Sequence, residues 1–310
     1  MPDLWNSLSA VLLIMVMTAV GYIFGKAGWM KATHKDLVIK FLINAAVPCL
    51  IVSNTFEHMK SDDLQGVGML LLVALASMAA TLTLSLAVAK LLKIPRERFG
   101  GFVVMGAFSN ALFVGLPMCE ILFNKTGNSY VILFHTVNAM LFWTIGNYLI
   151  HRSGKGSSYS IKSSIKSLLS PPLVCLFISI VLLLFNVKMP DILLTLTNKM
   201  GASVTPLALL YTGFVMYETG IKNIRIDKGM SVVLIMRLII APLITIGLCL
   251  LTGITGVQRG VFIIESAMPV MTQSVVVSAY AGADEKYNAL GMTLTTLACV
   301  VVVPVLMMIV

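Results

Sequence analysis

Charge is what this chain has least of. Only 11 % of its 310 residues are Asp, Glu, Lys or Arg, against about 25 % in a soluble domain. Catalytic signatures are missing too. There is no HExxH, no GxSxG and no Walker loop, so no enzyme and no ATP-driven pump is expected. The five cysteines, Cys49, Cys119, Cys175, Cys249 and Cys299, all fall inside apolar runs. Such an odd, dispersed set excludes a disulfide frame and a zinc site, so the expected metal and cofactor list is empty. The start, MPDLWNS, lacks the basic n-region of a secretory signal peptide. The first apolar run is therefore expected to be retained as a span.

What is present is hydrocarbon. Hydrophobic residues make up 58 % of the chain, and the mean hydropathy is +0.96. Runs of about 20 apolar residues mark bilayer-crossing helices. Ten are expected, near 7–25, 37–55, 66–89, 100–123, 129–150, 172–187, 200–217, 229–251, 258–281 and 288–309. The fold class is thus all-α and integral to a membrane. The net charge of +9 does not imply a nucleic-acid partner, because the basic residues sit in short loops between apolar runs.

Those loops set the expected orientation. The segments with Lys26 to Lys35, Lys90 to Arg98, Arg152 to Lys166, Lys222 to Lys228, and Lys286 hold fifteen of the 22 basic residues. The alternate loops hold five: Lys60, Lys125, Lys188, Lys199 and Arg259. Lys40 and Arg237 lie inside spans. The basic side should be cytoplasmic, which places both termini on the outer side of the cell membrane. The stretch HRSGKGSSYSIKSSIK reads as a flexible linker. It divides the chain into residues 1–151, a cytoplasmic linker 152–170, and residues 171–310. Five spans per half make the second half enter the membrane upside down, so two inverted five-helix repeats are expected. Pro48 then corresponds to Pro206, and Ser109 with Asn110 to Thr272 with Gln273.

Two spans are poorly built for simple crossing. In GGFVVMGAFSNALFVGLPMCEILF (100–123), Ser109 and Asn110 sit near the centre, with Gly115 and Pro117 beyond them. Pro117 removes the donor that the Phe113 carbonyl would meet in a helix. In span nine, Pro269 does the same to Glu265, and Glu265, Pro269, Thr272 and Gln273 recur at helical spacing. At a rise of 1.5 Å per residue, Asn110 and Pro269 each lie about 15 Å into their spans, near mid-bilayer. Broken helices at that depth aim half-helix N-termini and amide donors at one point, a site suited to an anion. Gly115, Pro117 and Pro269 are the expected break residues.

FSNALFVGLP (108–117), VNAMLFWTIG (137–146) and SAMPVMTQSVV (266–276), with AAVPCLI (45–51), VTPLALLYTG (204–213) and RLIIAP (237–242), resemble the auxin efflux carrier family along essentially the whole chain. Its bacterial members include malonate- and malate-type carriers. The resemblance implies ten helices in inverted repeats, with spans four and nine crossing at their breaks, and a homodimer. Its fold is similar to that of bile-acid-type sodium symporters. Asn110, Gly115 and Pro117 match the family's span-four motif, and Ala267, Met268 and Pro269 its span-nine motif. Position 273 departs from the family, which often has Asn where this chain has Gln273.

The remaining polar residues inside spans complete the expected site. Arg237 either neutralises a carboxylate or an acid, or snorkels to the interface. Glu265 is a candidate proton or Na⁺ site, or an acid in an outward vestibule. Lys40, Asn44 and Pro48 recur every four residues, so Asn44 either donates to a substrate or holds helices together. Asn138 joins the set from span five. The expected activity is secondary or facilitative transport of a small organic anion by alternating access. The substrate would be held by Ser109, Asn110, Thr272, Gln273, Asn138, Asn44 and Arg237, with coupling to H⁺ or Na⁺ left open. A receptor on a transporter fold, and a Na⁺-coupled bile-acid-type symporter, stand as alternatives.

Overall fold

The structure, a computed structural model, describes residues 4–58, 64–154, 171–185, 187–220 and 226–309. The described elements are helices: α1 (Leu4–Lys26), α2 (Ala32–Glu57), α3 (Leu64–Leu91), α4 (Arg96–Ala107), α5 (Ala111–Phe123), α6 (Asn128–Ser153), α7 (Pro171–Leu184), α8 (Asp191–Gly201), α9 (Val204–Thr219), α10 (Lys228–Thr252), α11 (Gly256–Ala267), α12 (Thr272–Ala281) and α13 (Glu285–Met307). Among the described residues, six continuous stretches are long and apolar enough to cross a bilayer. These are α2, Gly66–Leu91, α6, Asp191–Glu218, α10 and α13. The fourth and ninth expected spans fall short because each is interrupted into two halves.

Two boundaries differ from expectation. The seventh span was expected over 200–217, but α8 already begins at Asp191 and runs almost directly into α9. Pro190 caps α8 in extended conformation, so the helix starts where proline fits best, ahead of its first turn. α7 stops at Leu184, short of the expected residue 187. Residues 155–170 of the expected linker lie outside the described residues.

Helix packing sorts the chain into two bodies. α1 lies along α9, and α2 against α7 and α8. The first contact depends on absent side chains. A Cβ on Gly21 would stand 2.0 Å from the Leu210 carbonyl oxygen, and one on Gly213 would stand 1.8 Å from that of Thr18. With no hydrophobic drive between helices in lipid, such close backbone approach supplies the van der Waals contact. The second body joins α3, α4, α5, α6 and α10 to α13. Inside it, Ser77 and Thr245 share a hydrogen bond of 2.6 Å between α3 and α10. At its basic end the Arg98 guanidinium reaches Asp284 at 2.7 Å and Asp227 at 3.0 Å. Those aspartates cap α13 and α10 through the Tyr287 and Met230 amides. One arginine therefore ties three helix starts together. The two bodies meet where α1 packs on α5 and α13, and α9 on the first turn of α5.

Three of the prolines inside the spans do not break them. Pro48, Pro117 and Pro242 each stand two residues after a five-residue π-turn, over Leu42–Ala46, Ala111–Gly115 and Met236–Ile240. A π-turn closes i to i+5 bonds, so the missing proline donor and the ring are absorbed by one wide turn. The expectation that Gly115 and Pro117 mark the break in span four is thus corrected. Both are helical, and the interruption lies earlier, at Phe108–Asn110.

Candidate functional site

α4 ends at Ala107 and α11 at Ala267, and each chain then turns extended. Phe108 has φ −111° and ψ 130°, and Met268 has φ −61° and ψ 153°. The two extended pieces pair antiparallel through Ser109 and Val270. The Asn110 amide donates to the Pro269 carbonyl at 2.7 Å. Pro269 lies within the interruption itself, where its lack of an N–H leaves no helix bond unmade. α5 and α12 start from this crossing, so the orphan amides of both first turns gather there.

Extended backbone inside a membrane needs partners for its polar groups. Neighbouring helices provide them. Asn138 of α6 donates through Nδ2 to the Ser109 carbonyl at 2.7 Å and accepts from the Ser109 amide at 3.3 Å. Thr295 of α13 accepts from the Val270 amide at 3.0 Å. The Asn110 side chain donates to the Thr272 hydroxyl at 2.8 Å, joining the two breaks directly. Ser109, Asn110, Asn138, Thr272 and Thr295 are all buried. Ser109 Oγ is left without a partner.

Arg237 sits in the π-turn of α10 and is 2 % exposed. Snorkelling is therefore ruled out. Its Nη2 donates to the Ser266 carbonyl in the last turn of α11. A cation at the carbonyl end of a half-helix is favourable with its dipole. Nε and Nη1 remain buried and unpartnered. Glu265 is also fully buried, at 0 % exposure, so the outward-vestibule reading fails. No ion pair joins it to Arg237 among the described residues. Instead the Cys119 thiol donates to its Oε1 at 3.4 Å, and Oε2 has no partner. The carboxylate lies flat on Gly115, where an added Cβ would stand 2.4 Å from each oxygen. The helical spacing that put Glu265 on a face with Thr272 and Gln273 does not hold, because α11 ends between them.

Asn44 is not brought to the crossing. It falls inside the π-turn of α2, is exposed, and donates back to the Lys40 carbonyl at 2.8 Å. The extra residue of that turn breaks the four-residue spacing with Lys40 and Pro48. Gln273 lines a cavity of about 60 Å³ beside the crossing, with Thr272, Phe113, Trp143, Ile43 and Tyr211 among the walls. Its Oε1 is buried and unpartnered. Tyr211, Cys119 and Thr295 escaped the sequence reading. Each is a small or aromatic polar group in an apolar run, with no spacing to mark it.

Apolar helices long enough to span a bilayer, closed around two interruptions with matched polar partners, place the chain among multi-pass membrane proteins. The family described as Membrane transport protein matches residues 7–307. The chain belongs to that family, which includes the auxin efflux carriers, and it is a membrane transporter. An uncharacterized transporter of Methanocaldococcus jannaschii is 24 % identical over 293 residues, covering 93 % of this chain and 94 % of its own. An uncharacterized transporter of Methanothermobacter thermautotrophicus is 25 % identical over 268 residues, 85 % of each chain.

Proposed function

We propose that the protein is a secondary carrier of small organic anions, mono- or dicarboxylates, working by alternating access. The observation that carries this is the crossing of α4–α5 with α11–α12. It collects two half-helix N-termini and the amides of Asn110 and Gln273 in one buried place, which favours negative charge. Ser109 and Thr272 add hydroxyls, while Asn138 holds the broken backbone and Arg237 the end of α11. Ten spans in two inverted halves, 1–151 and 171–310 about a cytoplasmic linker, fit the equal treatment of the breaks. Each is gripped by a side chain of the helix that follows, Asn138 or Thr295. The body of α1, α2 and α7–α9 would stay in place while the other carries the anion past it. Energy would come from the substrate gradient or from H⁺ or Na⁺, with Glu265 as the coupling group. The basic loops favour the cell membrane with both termini outside, and a homodimer in lipid is part of the same proposal.

Uptake of labelled malonate and benzoate by proteoliposomes tests the reading. Asn110→Ala removes the side-chain bridge between the breaks and is expected to cut uptake about tenfold or more. Wild-type uptake by this variant would overturn the site.

A further inference from the structure

α1 meets α5 and α13 along the seam between the two bodies, and the contact is not closed. A cavity of about 190 Å³ lies there, with Met216 of α9 in its wall. The sequence explains the gap. Thr18 and Ala19 of α1 are short where Ile14 and Met15, one turn earlier, are long, so side-chain volume is missing opposite α5 and α13. Ile14, Val114, Met118, Met216 and Cys299 line the cavity and are buried. Met15, Ala19 and Leu297 line it as well and are exposed. The cavity therefore opens between α1 and α13 onto the outside of the helix bundle.

The walls select an apolar occupant. None of the lining residues is charged, and the surface they present is almost wholly hydrocarbon. The Thr296 hydroxyl donates to the Met292 carbonyl at 2.7 Å, and the Cys299 thiol to the Ala267 carbonyl at 3.8 Å, so both polar groups are turned to backbone. Depth points the same way. Met15–Ala19 and Thr296–Val300 lie about 12–18 Å into spans that begin near residues 7 and 288, which is mid-bilayer. The mouth of the cavity thus faces lipid tails and not head groups. An apolar hollow of about 150 Å³ stays dry and takes up benzene. A hollow of this kind that opens onto hydrocarbon fills with it, because an empty space forfeits the dispersion contacts of its walls. We propose that the acyl chain of a membrane phospholipid enters between α1 and α13 and seats its end in this cavity. Met15, Met118 and Met216 suit such an occupant, since methionine adapts to irregular shapes. The seated chain touches α1 and α9 on one side and α5 and α13 on the other. It is therefore part of the packing between the two bodies, and any sliding of one along the other displaces it. What the crossing carries does not enter into this site.

The test is photolabelling in phosphatidylcholine vesicles doped with phosphatidylcholine whose acyl chain ends in a diazirine. Adducts are located by mass spectrometry of the full-length protein after digestion. Any chain in the bilayer can reach Val16 and Val301, which are exposed on the outside of α1 and α13. Only a chain inside the cavity can reach Met118 and Cys299, which are buried. The wild-type protein is expected to carry adducts at both pairs. Ala19→Leu, which fills the cavity from its mouth, should lose most of those at Met118 and Cys299 and keep those at Val16 and Val301. Leu297→Ala, which widens the mouth, should gain at Met118 and Cys299. Adducts confined to Val16 and Val301 in the wild-type protein would overturn the proposal. So would adducts at Met118 and Cys299 that Ala19→Leu leaves unchanged. Thermal unfolding supplies a second readout. Stripping lipid with detergent empties the cavity, so wild-type Tm should fall more than that of Ala19→Leu, whose cavity is filled by its own side chain. Equal losses would remove the acyl chain from the packing of the seam.

Discussion

Replacing Gly115 by alanine puts one methyl group into the contact between α5 and α11. The new Cβ would lie 2.4 Å from both Glu265 oxygens and 2.7 Å from Cδ. Non-bonded carbon and oxygen do not approach closer than about 3 Å, so one side must move by roughly half an ångström or more. A carboxylate at the end of a flexible side chain would ordinarily swing away. Glu265 has little room to do so, since it is fully buried and touches Cys119 on the same helix as Gly115. The cost is that of overpacking, about 1–3 kcal/mol. A double-mutant cycle isolates it. Gly115→Ala, Glu265→Ala and the double variant are compared by denaturation in detergent, with uptake as a second readout. The alanine at 115 should destabilise strongly beside Glu265 and by little beside Ala at 265, a coupling of about 1 kcal/mol or more. Equal penalties in both backgrounds would refute the packing of Glu265 on Gly115.

Pro117→Ala should be mild, within about 1 kcal/mol and with uptake retained, because the π-turn already absorbs the proline. A loss of transport comparable to that of Asn110→Ala would restore Pro117 as the break. Asn138→Ala strips both polar groups of Ser109 of a partner. It should cost about 1–3 kcal/mol and lower uptake, whereas Asn138→Asp, which keeps an acceptor but no donor, should restore less than half. A fully active Asn138→Ala would remove it from the site. Arg98→Gln breaks two half-exposed ion pairs, so its effect on unfolding free energy should be below about 1 kcal/mol and should shrink as salt rises. A large, salt-independent loss would show that the three helix starts depend on Arg98 for folding.

Much of this was legible in the chain itself. Scarce charge and long apolar runs mean that only helices can satisfy the backbone within lipid, so a helical membrane protein follows from composition. Ser109, Asn110 and Pro269 were recognisable as misfits because polar and helix-breaking groups at mid-span carry a cost that a plain span would not bear. The antiparallel meeting of Ser109 with Val270 rests on residues far apart in the chain, and no local pattern encodes it. The same holds for Asn138 on Ser109 and for Glu265 on Gly115. Proline signalled a break at residue 117 where the backbone instead widens into a π-turn, because local chemistry states that a donor is missing but not how the helix compensates. Asn44 shared a helical face on paper and lost it to the extra residue of such a turn. Composition and spacing determined that polar residues would meet inside the membrane. Tertiary packing decided which of them pair with one another and which, like Ser109 Oγ and Gln273 Oε1, are buried without a partner.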